Sequence, residues 1–176
     1  MKSPATYRVP RNVQTARLEL RPFDLADHAD YARMTADPEV MQYMGMGKPN
    51  TSDMAWRSMA AMLGHWELLG YGLWALALRE GPLVGHVGYI DVPGWPGFEL
   101  AWMLEREHWG QGYAFEAATS ALQIAQAQLG RDRIISLIRP ANARLIRLAE
   151  KLGASREGSV ELMGSSAELF VHRKPA

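Results

Sequence analysis

Cysteine is absent from the 176-residue chain, which excludes disulfides, a cysteine nucleophile and thiolate metal sites. Neither charge is in excess, because 19 lysines and arginines balance 19 aspartates and glutamates. A neutral chain has no overall attraction for nucleic acid or for an anionic membrane surface. Long apolar runs are also missing, and the start MKSPATYRVP lacks the apolar segment of a signal peptide. We therefore expect a cytoplasmic protein with neither a nucleic-acid nor a membrane partner, and the composition leaves a homodimer open.

Metal-binding patterns are scarce as well. The five histidines show no H-x-x-x-H or comparable spacing, so no metal site is predicted. The length suits one domain over residues 1–176, and a hydrophobic content of 48% is sufficient for a core. We expect residues 1–11 to form a flexible N-terminal arm.

Hydrophobic periodicity predicts a mixed α/β fold. Alternating residues in ARLELRPF indicate a first strand, and two helices follow, capped by Asp24 and Thr51. Next come three strands, a helix over 114–129, a buried strand RIISLIRP, a fourth helix ending at Gly153 and two final strands. The predicted order is β-α-α-β-β-β-α-β-α-β-β, with helices on both faces of the sheet. The helix between FELAWML and RIISLIRP makes these two strands parallel neighbours.

The stretch EHWGQGYAFEAA places Gly110 and Gly112 between a buried strand and a helix. A helix start in this position presents free N–H groups to an anion. A lysine-containing phosphate loop is excluded because no lysine follows. A dinucleotide fingerprint is also excluded, since Phe115 occupies the third glycine position and Asp132 precedes its strand. A plain turn without a ligand is the alternative.

The segment WGQGYA resembles the pyrophosphate loop of the GNAT superfamily of N-acetyltransferases, [RQ]-x-x-G-x-[GA]. Gly112 and Ala114 match that pattern, while Trp109 replaces its first residue. The form WGxGYAxEA is similar to the branch that contains the ribosomal-protein-alanine N-acetyltransferases. ARLELRPF with DPEVMQYM, GLWAL with LVGHVGY, and NARLIRLAEKLGA resemble further segments of this branch in the same order. The resemblance covers nearly the whole chain and implies a mostly antiparallel sheet of about seven strands.

The resemblance implies that acetyl-CoA is the acetyl donor. The backbone N–H groups of Gln111, Gly112, Tyr113 and Ala114 would then hold its pyrophosphate, with Trp109 and Gly110 completing the loop. The pantetheine arm would pair with free backbone groups of Met103 and Leu104, where FELAWML separates from RIISLIRP. Asn142 matches a cofactor contact, although helix capping explains it equally well. Arg144, Arg147 and Lys151 are candidates for the 3′-phosphate, unless they form only a solvated helix face.

Glu99 is the candidate base that takes the proton of the attacking amine, because it is the lone carboxylate in an apolar strand. Burial in such a strand raises the pKa of a carboxyl group. The other interpretation is that Glu99 faces water. A backbone N–H near Met103 would stabilise the oxyanion.

The chain departs from the family at the group that protonates the leaving thiolate. Leu145 and Ala149 occupy the positions where relatives carry serine or tyrosine. The leading hypothesis is direct acetyl transfer to a primary amine, either a protein N-terminus or a small molecule. A CoA-binding sensor with weak or lost catalysis is the second hypothesis, and a structural protein that binds no nucleotide is the third.

Overall fold

The computed structural model describes residues 7–173 and contains one eight-stranded sheet with helices on both faces. The strands are β1 (Val13–Gln14), β2 (Leu18–Arg21), β3 (Leu73–Leu78), β4 (Leu83–Ile90), β5 (Glu99–Leu104), β6 (Arg133–Ile138), β7 (Ser155–Leu162) and β8 (Ser165–Arg173). The helices are α1 (His28–Ala36), α2 (Pro38–Met41), α3 (Ser52–Leu69), α4 (Tyr113–Gln128) and α5 (Ala143–Lys151). Short 3-10 turns precede α1 and α4.

The sheet order is β1-β2-β3-β4-β5-β6-β8-β7. All neighbouring strands are antiparallel except β5 and β6, which are parallel as predicted. The predicted element order is confirmed with two additions. One is the two-residue strand β1, which raises the expected seven strands to eight.

The other addition is helix α2, for which the hydrophobic pattern predicted no element. Helix α1 does end at Ala36, but the side chain of Asp37 accepts the N–H of Glu39. Pro38 then occupies the first position of the next helix. Proline suits this position because its fixed φ is helical and its missing N–H has no partner there.

The sheet separates two apolar clusters, and the alternation of side chains along β5 assigns residues to each. Leu100, Trp102 and Leu104 pack in the cluster that contains the alanines of α4. Met103 packs on the opposite face, in the cluster formed with α1 and α3. In α3, Met59 and Trp66 are buried. The two faces of β5 therefore meet different environments.

The predicted N-terminal arm is described only from residue 7, since residues 1–6 lie outside the described part of the chain. Val9 is buried in the cluster that contains the alanines of α4, and the N–H of Arg8 donates to the carbonyl of Gly70 at 2.9 Å.

None of the helices within residues 7–173 is long and apolar enough to cross a membrane.

Candidate functional site

The loop between β5 and α4 has the geometry of an anion cradle. Gly110 and Gly112 adopt φ of 76° and 82°, a left-handed conformation that favours glycine. Helix α4 begins at Tyr113 without a side-chain cap. Within the described structure, the backbone N–H groups of residues 111–115 donate to no protein acceptor. A helix start with free N–H groups and a partial positive charge is suited to binding a phosphate group.

Arg17 supports this loop from the start of β2, a role that sequence analysis missed. Its Nη1 donates to the carbonyl of Gln111 at 2.9 Å, and its Nε donates to Glu116 at 2.7 Å. Thr15 also donates to Glu116, at 2.6 Å. The Arg17 guanidinium lies 4.6 Å from the ring centroid of Tyr113. These contacts join residues about a hundred positions apart, so no local sequence pattern indicates them.

Trp109 fixes the path of the chain between β5 and the loop. Its indole Nε1 donates to the carbonyl of Leu104 at 2.8 Å, and the guanidinium of Arg144 lies 3.4 Å from its ring centroid. The side-chain amide of Gln111 contacts neither β5 nor α5 by a hydrogen bond; it donates to the carbonyl of Glu107. Trp109 therefore contacts β5 and α5 together.

Strands β5 and β6 separate soon after they meet. Their register contains a single pair, Glu99 with Ile135. Beyond this pair the Ser136 hydroxyl donates to the carbonyl of Leu100 at 2.7 Å. The predicted gap between the two strands is therefore present.

The strand register shows that the neighbours of Met103, and not Met103 itself, have backbone groups that face the gap. Met103 stands opposite His86, and the N–H of Glu105 donates to Val84 two residues further along the same ladder. Because hydrogen-bonded pairs alternate in an antiparallel ladder, the backbone groups of Met103 point toward β4. Those of Trp102 and Leu104 point into the gap, where the Leu104 carbonyl is already bound by Trp109. Trp102 N–H, Trp102 C=O and Leu104 N–H are thus the groups that face the gap.

A cavity of about 280 Å³, here called the loop cavity, lies over this region. It gathers the predicted cofactor residues with the exception of Gln111: Met103, Leu104, Trp109, Gly110, Gly112, Tyr113, Ala114 and Asn142. Arg144, Arg147 and Lys151 of α5 line the same cavity. The Asn142 side chain accepts the N–H of Leu145 at 3.3 Å, so it caps α5.

A second cavity of about 680 Å³ lies on the other face of the sheet, and we call it the methionine cavity. Glu99 and His86 line it, together with α1, α3 and the segment after α2. Four residues line both cavities: Tyr43, Met44, Trp102 and Met103. The two cavities therefore adjoin at the gap between β5 and β6.

Glu99 is 6% exposed and lines the methionine cavity. Burial raises the pKa of its carboxyl group to about 7, despite hydrogen bonds that lower it. The indole of Trp95 donates to one carboxylate oxygen at 2.7 Å, and the N–H of Leu137 donates to the other at 3.2 Å. The interpretation that Glu99 faces bulk water is thus wrong. Both protonation states are accessible to this group near neutral pH.

His86 is a buried histidine on the same cavity wall. Burial lowers the pKa of its imidazole to about 4, so the ring is neutral at pH 7. Its Nδ1 lies 3.5 Å from the hydroxyl of Tyr31, at the limit of a hydrogen bond. Among residues 7–173, no group of three or more histidines and carboxylates is placed to hold a metal ion.

A family model described as an acetyltransferase (GNAT) domain matches residues 17–155, most of the chain. The chain belongs to the GNAT acetyltransferase family. This membership supports an acetyl-CoA-dependent acyltransferase. The uncharacterized N-acetyltransferase p20 of Bacillus licheniformis is 30% identical to this GNAT protein over 147 residues, covering 82% of each chain. The uncharacterized N-acetyltransferase YnaD of Bacillus subtilis is 28% identical over 148 residues, covering 84% of each chain.

Solved structures agree with the GNAT fold. An acetyltransferase from Agrobacterium tumefaciens superposes with a TM-score of 0.83 at 27% identity, covering 99% of this chain and all of the other. A ribosomal-protein acetyltransferase solved with coenzyme A has a TM-score of 0.76 at 13% identity, covering 94% and 97%. At that identity the likeness concerns the fold alone.

The residues of this GNAT chain fit acetyl-CoA at the loop cavity. Free N–H groups at the start of α4 suit the pyrophosphate, and the Trp102 backbone together with the Leu104 N–H suits an extended amide chain. The two α5 positions at which the family resemblance predicts a hydroxyl are apolar, because Leu145 lines the loop cavity and Ala149 is buried without a hydroxyl group.

Proposed function

We propose that the protein transfers the acetyl group of acetyl-CoA directly to a primary amine. The observation that carries this proposal is the junction of two cavities at Trp102 and Met103. One cavity has an anion cradle and the other has a buried carboxylate with a pKa near neutrality. This arrangement lets the two substrates meet within one ternary complex.

Acetyl-CoA would occupy the loop cavity. The free N–H groups of residues 111–115 would bind its pyrophosphate, while Arg144, Arg147 and Lys151 would attract the 3′-phosphate. The backbone of Trp102 would pair with the pantetheine amides. Because the N–H of Met103 belongs to the β4 ladder, we assign the stabilisation of the oxyanion to Trp102 or Leu104 N–H.

In the chemical step the amine nitrogen bonds to the thioester carbon and the carbon–sulfur bond breaks. Glu99 would accept the proton that the amine loses, directly or through water. A carboxyl with a pKa of about 7 is largely deprotonated above neutral pH and still basic enough to act. Its bond to Leu137 N–H also fills a ladder position left vacant by the gap. A purely structural role for Glu99 is thus the alternative that experiments must exclude.

The leaving thiolate also requires a proton, and we assign its donor to Tyr43. This tyrosine lies on the segment after α2 and lines both cavities. Of the four residues shared by the cavities, it alone carries a hydroxyl group. Its phenol would replace the α5 hydroxyl that Leu145 and Ala149 cannot supply. The proton count then balances, since Glu99 gains one proton and Tyr43 loses one before both exchange with solvent.

A CoA-binding sensor without turnover is the second candidate, and the apolar residues Leu145 and Ala149 favour it. Two measurements separate the candidates. Isothermal titration with CoA measures binding, and a thiol reagent measures CoA release from acetyl-CoA in the presence of amines. Since the protein has no cysteine, the reagent reports CoA alone. Binding with amine-dependent thiol release supports transfer; binding without release across peptides, polyamines, aminoglycosides and aryl amines supports the sensor.

A further inference from the structure

The methionine cavity has an unusual composition. Seven of the ten methionines of the chain line it. Met46, Met54 and Met163 are among them and are 73%, 47% and 54% exposed, so they lie at its mouth. Methionine side chains are flexible and polarisable, and they adapt to apolar ligands of different shapes. Exposed apolar side chains grouped around a cavity are typical of a binding site.

Met163 stands in a backbone conformation that does not suit its side chain. It lies in the turn between β7 and β8 with φ of 50°, where asparagine or glycine is ordinarily favoured. A left-handed conformation is unfavourable for a residue with a Cβ, because that atom approaches the following carbonyl oxygen. The turn therefore carries an exposed apolar side chain at the cavity mouth against its local preference. Contact with a ligand would offset that cost.

The mouth is held in place by Arg139. Its Nη1 donates to the carbonyls of Ser165 and Ser166 at 2.8 and 3.1 Å, and its Nη2 donates to Gly45 at 3.3 Å. The guanidinium thus connects the β7–β8 turn to the segment after α2. These bonds occupy three of the five N–H donors of the guanidinium. A carboxylate beside the reacting amine would also lie close to the carboxylate of Glu99, which disfavours it by like-charge repulsion.

The charges and the low polarity of the methionine cavity disfavour two groups of amines, polyamines and peptides. Among the described lining residues, Glu99 is the only carboxylate, and Lys48 and Arg139 are the cations. A polyamine would place its second ammonium near these cations with no acid to pair it. A peptide would bring several backbone amides into a wall that offers few polar partners, and each unpaired amide is costly to bury.

We propose that the acceptor is a small primary monoamine carried on an apolar, otherwise uncharged body. This inference rests on the proposed acetyl transfer, because it names the second substrate of the same site. The ammonium group would enter toward Glu99 and lose its proton there, while the apolar body would lie among the methionines. The cavity volume of about 680 Å³ is in the range of small-molecule sites.

Four probe amines test the proposal on the full chain. They are 2-phenylethylamine, phenylalanine, spermidine and an alanine tripeptide, which differ in added carboxylate, added ammonium groups and backbone amides. Binding to the CoA-loaded protein is measured by calorimetry, and turnover is measured by thiol release from acetyl-CoA. We expect kcat/KM for 2-phenylethylamine to exceed each of the others by at least about tenfold, the effect of one unpaired polar group.

The two readouts keep the inference separate from the proposed function. Preference for spermidine, phenylalanine or the tripeptide overturns the inference, and so does failure of 2-phenylethylamine to bind at millimolar concentration. Selective binding of 2-phenylethylamine without thiol release leaves the inference standing and contradicts acetyl transfer.

Met163→Asn tests the role of the residues at the cavity mouth, and this substitution should not destabilise the fold. Asparagine suits the left-handed turn, so unfolding free energy should be unchanged or higher. Loss of the apolar contact should raise KM for 2-phenylethylamine roughly fivefold. Glu80→Asn is the matched control, because Glu80 has φ of 56° in the β3–β4 turn and lies outside both cavities. Equal KM values in Met163→Asn and the control would contradict the proposal.

Discussion

The carboxylate of Glu99 accepts the backbone N–H of Leu137 at 3.2 Å across the place where β5 and β6 separate. This contact relates the fold directly to the proposed chemistry. The separation that leaves the Trp102 backbone and the Leu104 N–H without a partner on β6 also accompanies a buried carboxylate on the same strand. The pKa of Glu99, raised to about 7 by burial, follows from this position.

Glu99→Gln should lower turnover while acetyl-CoA still binds. Loss of a general base typically reduces the rate by about 100-fold or more. The rise of kcat/KM between pH 6 and 8 that depends on Glu99 should disappear, because glutamine does not titrate. Glu105→Gln is the matched control, since Glu105 immediately follows β5 and lies outside both cavities. A pH–rate profile identical to the wild type would assign Glu99 a structural role only.

Trp95→Phe should shift the acid limb of the pH–rate profile to higher pH. The Trp95 indole donates to Glu99 and lowers the pKa of this carboxyl, so its removal raises that pKa above about 7. Glu99 is active when deprotonated, and the variant therefore loses more activity at pH 6.5 than at pH 8.5. Trp56→Phe on the exposed face of α3 serves as the control. A shift toward lower pH would contradict the assignment.

Gly112→Ala should weaken CoA binding by about tenfold or more, because it disturbs the N–H cradle at the start of α4. Alanine at positive φ also costs stability, roughly 1 kcal/mol. Gly153→Ala separates the two effects, since Gly153 has φ of 84° against 82° for Gly112 and lies outside the loop cavity. Calorimetry with CoA should show a loss in Gly112→Ala alone. Equal CoA affinity in both variants would remove Gly112 from the binding site.

Tyr43→Phe should reduce kcat and leave the binding of acetyl-CoA unchanged. Without the phenol, the thiolate has to leave unprotonated or take its proton from water, so we expect a reduction of roughly 10- to 100-fold. Tyr7→Phe is a suitable control, because Tyr7 loses a hydrogen bond to Glu67 and neither residue lines a cavity. Wild-type kcat in Tyr43→Phe would exclude the phenol as proton donor.

The sequence predicted the elements and the loop because their signals are local. Periodicity marks each strand and helix, and the conformational demand for glycine at 110 and 112 is visible in the sequence itself. Helix α2 was not predicted because it has only four residues, too few for a helical period, although Pro38 suits its first position.

Long-range geometry was not predictable from these patterns. The assignment of free backbone groups to Met103 was off by one residue, since strand register decides which amides face β4 and which face the gap. Arg17 supports the loop from about a hundred residues away. Tyr43 lies on an irregular segment, and only the folded chain places it between the two cavities.

Two-substrate initial-rate kinetics test direct transfer most directly. Acetyl-CoA is varied at several fixed concentrations of an acceptor amine, and thiol release is measured. Because both cavities adjoin at Trp102 and Met103, the proposed mechanism requires a ternary complex, and the double-reciprocal lines should intersect. Parallel lines, with thiol release in a burst before amine is added, would indicate an acetylated enzyme and contradict direct attack.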